Sequence, residues 1–181
     1  MCIRDSPLSS ATGCRPVPKN LLNALLFICG WLACLLGGGQ WLWAVAVVLL
    51  VHLALIGSWQ REGKLLVSAL LFGSAVDSFL LQLGFFDFGE ARQLIPLWQA
   101  LIWLLVGTTL YHCLAWTATP WWRASLVGAC FALLCHGAST WLGLVRLPHG
   151  EAATLVLVAL VWAIVLPLRH GFARLYAARP M

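Results

Sequence analysis

The chain has 181 residues, 62 % of them apolar or aromatic and only 9 % charged, with a formal net charge of +5. An ordinary globular domain carries about 25 % charged residues, so this composition excludes a soluble domain, a disordered chain and a coiled coil. A polytopic membrane protein remains.

Residues 1–18 hold Pro7, Pro16 and Pro18 and show no helical period, which predicts a disordered cytoplasmic tail. Its opening, Met1-Cys2-Ile3-Arg4-Asp5-Ser6, matches a translated sequencing-adapter scar and is left out of the functional reading. Six apolar stretches follow at about 20–37, 41–59, 64–84, 94–116, 124–145 and 153–169. Each suits a helix of about 17–25 residues crossing a hydrocarbon core of roughly 30 Å. Polar or Gly- and Pro-containing hyphens separate them, such as Gly37-Gly38-Gly39-Gln40, Gln60-Arg61-Glu62-Gly63 and Pro148-His149-Gly150. No A-x-A-like site follows the first stretch, so it reads as a retained helix rather than a cleaved signal. Residues 171–181 read as a basic cytoplasmic tail, and no convincing repeat joins stretches one to three with four to six.

With the N-terminus inside, Arg4, Arg15, Lys19, Arg61, Lys64, Arg123, Arg169, Arg174 and Arg179 face the cytoplasm, and only Arg92 and Arg146 lie opposite. The apolar runs predict an all-α bundle of six spans, and the positive-inside rule places both termini in the cytoplasm. Most of the 11 tryptophans map near the two interfaces, where the indole N–H meets headgroups. Trp31, Trp103 and Trp162 lie deeper and are candidates for packing or for a site.

Basic residues lie singly between apolar runs, which leaves no surface for nucleic acid. The expected partners are the lipid bilayer and other membrane proteins or further copies of this chain. Seven cysteines without a C-x-x-C pair argue against a disulfide framework or a zinc site. No nucleotide-binding, hydrolase or channel-filter motif occurs.

Ionisable groups at membrane depth cost about 2.5–3.5 kcal/mol on insertion scales and need an explanation. Asp77 lies roughly 20 Å along the third helix by helical rise. It shares a small, polar face with Ala69 and Gly73. His136 lies at similar depth on a stripe of Gly128, Ala132 and Thr140, and Cys34 follows Gly30 on the first helix. With Gln99 these residues form one candidate layer. An Asp77–His136 pair would make a proton relay or an acid/base couple; the plainer alternative is an interhelical hydrogen bond that fixes packing. His52, His112 and Asn23 are secondary candidates nearer the inner face, where His112 suits interfacial snorkelling. No i, i+4 histidine pair supports a metal, so no metal and no cofactor are expected. The sixth helix, wholly apolar over 155–166, reads as a lipid-facing stave.

The strings themselves carry a resemblance. Asn23 with residues 25–34, the run Gly73 to Asp77 with Gly84, Pro96-Leu97-Trp98 with Trp103, Thr109 with His112 and Ala115-Trp116, and Gly143 resemble domain-of-unknown-function family 2878 over roughly residues 20–168. The resemblance implies a six-helix inner-membrane protein of proteobacteria with no established activity. It also implies a gene neighbourhood of fatty-acid-modifying and stress-response genes, which points to envelope lipids. Asp77 sits where the family places its acidic residue. The family tends to carry a Gly-Pro and an aromatic in helix five, where this chain reads Phe131-Ala132-Leu133-Leu134-Cys135-His136. Three functions follow as expectations: an accessory component of an envelope-lipid or stress-related pathway, a small-solute or proton-coupled transporter using Asp77, or an intramembrane lipid-modifying enzyme.

Overall fold

The structure, a computed structural model, describes residues 18–177. The expected N-terminal tail, apart from Pro18, and the last four residues of the expected C-terminal tail lie outside them. Six α-helices follow in order: α1 (Lys19–Gly37), α2 (Leu42–Leu55), α3 (Trp59–Gln82), α4 (Leu97–Thr109), α5 (Trp122–Trp141) and α6 (Glu151–Ala177). A short 3-10 turn at Ala115–Ala118 lies between α4 and α5. No strand occurs among the described residues, and the fold is all-helical, as the apolar runs dictate: a helix satisfies its own backbone groups where water is absent. The helices α1, α3, α5 and α6 are long and apolar enough to cross a membrane. At 14 and 13 residues, α2 and α4 are shorter than the about 20 residues that a perpendicular crossing takes.

Three boundaries differ from expectation, each for a local reason. Helix α3 begins at Trp59, so Gln60-Arg61-Glu62-Gly63 is its first turn rather than a loop. An acid there meets the positive end of the helix dipole. Helix α4 stops at Thr109, where the hydroxyls of Thr108 and Thr109 donate to the carbonyls of Leu105 and Val106, at 2.7 Å and 2.6 Å. Helix α6 runs on to Ala177, carrying Arg169 and His170 inside it. The Arg169 guanidinium donates to the Ser68 and Leu65 carbonyls at 3.0 and 3.2 Å, which ties α6 to α3.

At the opposite end, α3 and α5 finish alike. Gly84 (φ 80°) and Gly143 (φ 71°) adopt the left-handed conformation that glycine tolerates. Behind them Phe85 N–H donates to Leu80 O at 3.0 Å, and Leu144 N–H to Ser139 O at 2.9 Å. Both are Schellman ends. The two chains then meet in one antiparallel bridge: Asp87 N–H donates to Arg146 O at 2.9 Å and Arg146 N–H to Asp87 O at 2.7 Å.

These matches belong to a repeat whose phase differs from the one sought in the sequence. At one constant offset, Asp77, Gly84, Asp87 and Trp103 correspond to His136, Gly143, Arg146 and Trp162. The unit is a helix pair, α3–α4 and then α5–α6. Equivalent residues meet across the join: Asp87 with Arg146, and the Trp103 and Trp162 rings stacked at 4.0 Å between centroids. Self-meeting of equivalent positions is what a twofold relation imposes. Helix α6, expected as a lipid-facing stave, is also a wall of the interior: Val158, Trp162 and Val165 are buried, while Val156, Leu160 and Ile164 are exposed.

Small residues set the approach of the helices, as they do where lipid removes the hydrophobic drive between them. A Cβ on Gly73 would run into the Trp103 ring, and one on Gly128 would lie 2.5 Å from the Trp162 carbonyl oxygen. Helix α1 with α2 flanks α4, where Gly30 gives room to Leu105. The outside carries exposed Leu, Val, Ile and Trp on every helix, as a lipid-facing surface does.

Candidate functional site

Two buried polar groups stand out, one toward each end of the bundle. The first surrounds Asp77 on α3. Its Oδ2 accepts hydrogen bonds from Trp103 Nε1 at 2.8 Å and Gln99 Nε2 at 3.1 Å, both from α4. Trp103 is itself held by Gly73 beneath it and by the Trp162 stack above. Asp77 is only 1 % exposed, and its Oδ1 has no hydrogen-bond partner.

The expected four-residue layer thus assembles in part. Gln99 joins Asp77. His136 does not: its ring lies parallel to Phe86 at 5.1 Å, its Nε2 has no partner, and no ion pair with Asp77 forms among the described residues. As the counterparts in the repeat, the two residues sit on separate helix pairs. Cys34 packs with Cys135, Ile102 and Leu105 in an apolar cluster and behaves there as a small hydrophobe.

The second group gathers the three secondary candidates around a residue that the sequence reading placed in a loop, Glu62. Its Oε2 accepts from His52 Nε2 and its Oε1 from His112 Nε2, both at 2.9 Å. The elements explain the meeting. His52 ends α2, Glu62 lies in the first turn of α3, and the break after Thr109 turns His112 inward. His112 is therefore a bonded, half-buried residue and not a snorkelling one. Gly57 leaves space for the carboxylate, since a Cβ there would sit 2.5 Å from Glu62 Oε1.

Asn23 closes the group from α1. Its Oδ1 accepts the Cys113 N–H at 3.2 Å and its Nδ2 donates to the Thr108 carbonyl at 3.1 Å. Two backbone groups of fixed polarity therefore orient the amide. The second N–H of Nδ2 points at His52 Nδ1, 3.2 Å away. That nitrogen must accept, so His52 is neutral with its proton on Nε2, donating to Glu62. No arginine or lysine among the described residues pairs with Glu62, whose contacts within ion-pair distance are the two histidines. Asn23, His52 and Glu62 are buried, while the His112 side chain keeps 16 % of its surface exposed. A His–Glu–His set whose ligand atoms all lie within 4.8 Å of one another is also a donor set for a metal ion.

Two grooves of about 650 and 560 Å3 run along the outer face of α3, one beside Lys64 and Tyr176 and one beside Phe79 and Val161. Neither is lined by Asp77, His136, Glu62 or His112.

The fold is an all-helical bundle in which four helices are long and apolar enough to cross a membrane and polar residues are turned inward. The family model described as "Protein of unknown function (DUF2878)" matches residues 20–168, and the chain belongs to that family. Neither the curated proteins nor the solved structures give a match.

Proposed function

We propose that this chain is a six-span bundle of a bacterial inner membrane, both termini cytoplasmic, acting as a non-enzymatic accessory component of an envelope-lipid or stress-related pathway. The observation that carries this reading is the state of Asp77. Its one bonded oxygen is taken up by two donors from α4, and neither outer groove reaches it. The acid works as a fastener between α3 and α4. The transporter reading requires an aqueous route to Asp77, and the enzyme reading a second acid/base group within its reach. His136, the residue expected in that role, makes no bond to it. The charge asymmetry supports the orientation: with Arg4 set aside, eight of the remaining ten lysines and arginines lie on the cytoplasmic side of that threading. The partners are then other membrane proteins of the same bilayer or further copies of this chain.

Proteoliposomes loaded with a pH-reporting dye test the reading. Wild-type protein is expected to give no proton flux above empty vesicles. Flux that disappears in Asp77→Asn, with the variant still inserted, would overturn it.

A further inference from the structure

The group around Glu62 has a use that the accessory reading leaves out. A buried carboxylate needs a counter-charge, and Asn23 keeps His52 neutral, which leaves His112 or a bound cation to supply it. Each oxygen of the Glu62 carboxylate faces a different Nε2 at 2.9 Å. Two ligands about 2.1 Å from one zinc ion in its tetrahedral geometry would be about 3.4 Å apart, so each pair has to open by only about 0.5 Å to admit a shared cation. The donors come from α2, α3 and the turn after α4, and one cation would clamp all three elements. Imidazole with carboxylate is a donor set for zinc-class ions and not for magnesium or calcium, which prefer oxygen alone. The exposed edge of His112 gives an ion a way in.

We propose that His52, Glu62 and His112 bind one divalent transition-metal cation of the zinc class. Three protein ligands leave a fourth position for water, the arrangement of zinc sites that stay open. Binding takes the Nε2 lone pair of both rings, so neutral His52 shifts its proton to Nδ1 while charged His112 gives up its Nε2 proton to solvent, one proton released per ion bound. At His52 this reverses the polarity that Asn23 meets. The amide must turn to offer Oδ1, giving up its bonds to Thr108 and Cys113, a smaller loss than metal ligation returns. Asn23 is a positioning residue, and it holds the metal-free state. An aspartate in its place accepts from Nδ1–H without turning, the carboxylate–histidine–metal arrangement that raises affinity.

The test uses the full chain in detergent, stripped by chelator, with its thiols blocked by N-ethylmaleimide, and titrated with Zn2+ or Co2+ alone. Wild type is expected to bind one equivalent, with visible Co2+ absorption and without the intense near-ultraviolet bands of thiolate ligation. Glu62→Gln and His112→Gln are expected to lose affinity at least a hundredfold while eluting as monodisperse protein. Asn23→Asp is expected to bind about tenfold more tightly, a gain that misfolding cannot produce. Folded wild type that binds no ion, or unchanged affinity in both Glu62→Gln and His112→Gln, overturns the assignment and leaves a hydrogen-bonded cluster only.

Discussion

Asp77 and Glu62 are both buried acids on α3, yet their surroundings ask different things of a substitution. Asparagine at position 77 keeps an oxygen able to accept from Trp103 and Gln99. Asp77→Asn is therefore expected to cost at most about 1 kcal/mol of stability, near the roughly 0.6 kcal/mol average for buried membrane hydrogen bonds. Asp77→Leu orphans two donors at once and is expected to cost about 2 kcal/mol or more. Thermal unfolding in detergent should rank the two in that order; equal losses would mean that the bonds to Asp77 contribute little. At the other acid the sensitive neighbour is Gly57. A methyl group there collides with Glu62 Oε1, and both histidines resist its displacement. Gly57→Ala is expected to lower stability by about 1–3 kcal/mol, and the loss should vanish in a Glu62→Ala background. Asp77 was legible in the sequence because an acid in an apolar run stands out against its neighbours. Glu62 was not, because Arg61, Gly63 and Lys64 around it make the usual polar hyphen, and its partners lie on other helices.

For the elements, the number and order of helices could be read from hydropathy, whereas two of the ends could not. Hydropathy extends α4 to residue 116, but it ends at Thr109, where two threonine hydroxyls bond to its last carbonyls. That stop frees Thr108 O for Asn23 and swings His112 toward Glu62, so the break and the polar group form together. The small-residue stripes on α3 and α5 were visible as stripes, while their partners were not. Gly73→Val is expected to push Trp103 off Asp77 and off Trp162. The stacked indoles give a near-ultraviolet circular dichroism signal, which should fall in Gly73→Val and persist in Gly137→Val, where a Cβ meets nothing within 4 Å. Persistence of the signal in Gly73→Val would mean that the helices separate without disturbing the rings.

Across the whole molecule, the proposed threading makes a direct prediction for α2 and α4, the two short helices. In a cysteine-free background, single cysteines at Gln40 and Gln93 should react with an impermeant maleimide added outside intact cells, and one at Gln60 should not. Labelling at Gln60 under those conditions would remove the six-span arrangement. Composition pointed to helices of membrane length, and four of the six have it, but it carried no sign of the helix-pair repeat. Gly84 with Gly143 and Trp103 with Trp162 are too few identities to reveal it, since the polar positions differ: Asp77 answers to His136, and Asp87 to Arg146.

The reciprocal bridge between Asp87 and Arg146 and the paired indoles have one more implication. If a helical hairpin was once doubled in tandem, the ancestral gene encoded a two-helix peptide that associated with its own twin. The four helices α1–α4 and the pair α5–α6, expressed as separate polypeptides divided between Thr119 and Trp122, should then find each other in the bilayer and co-purify.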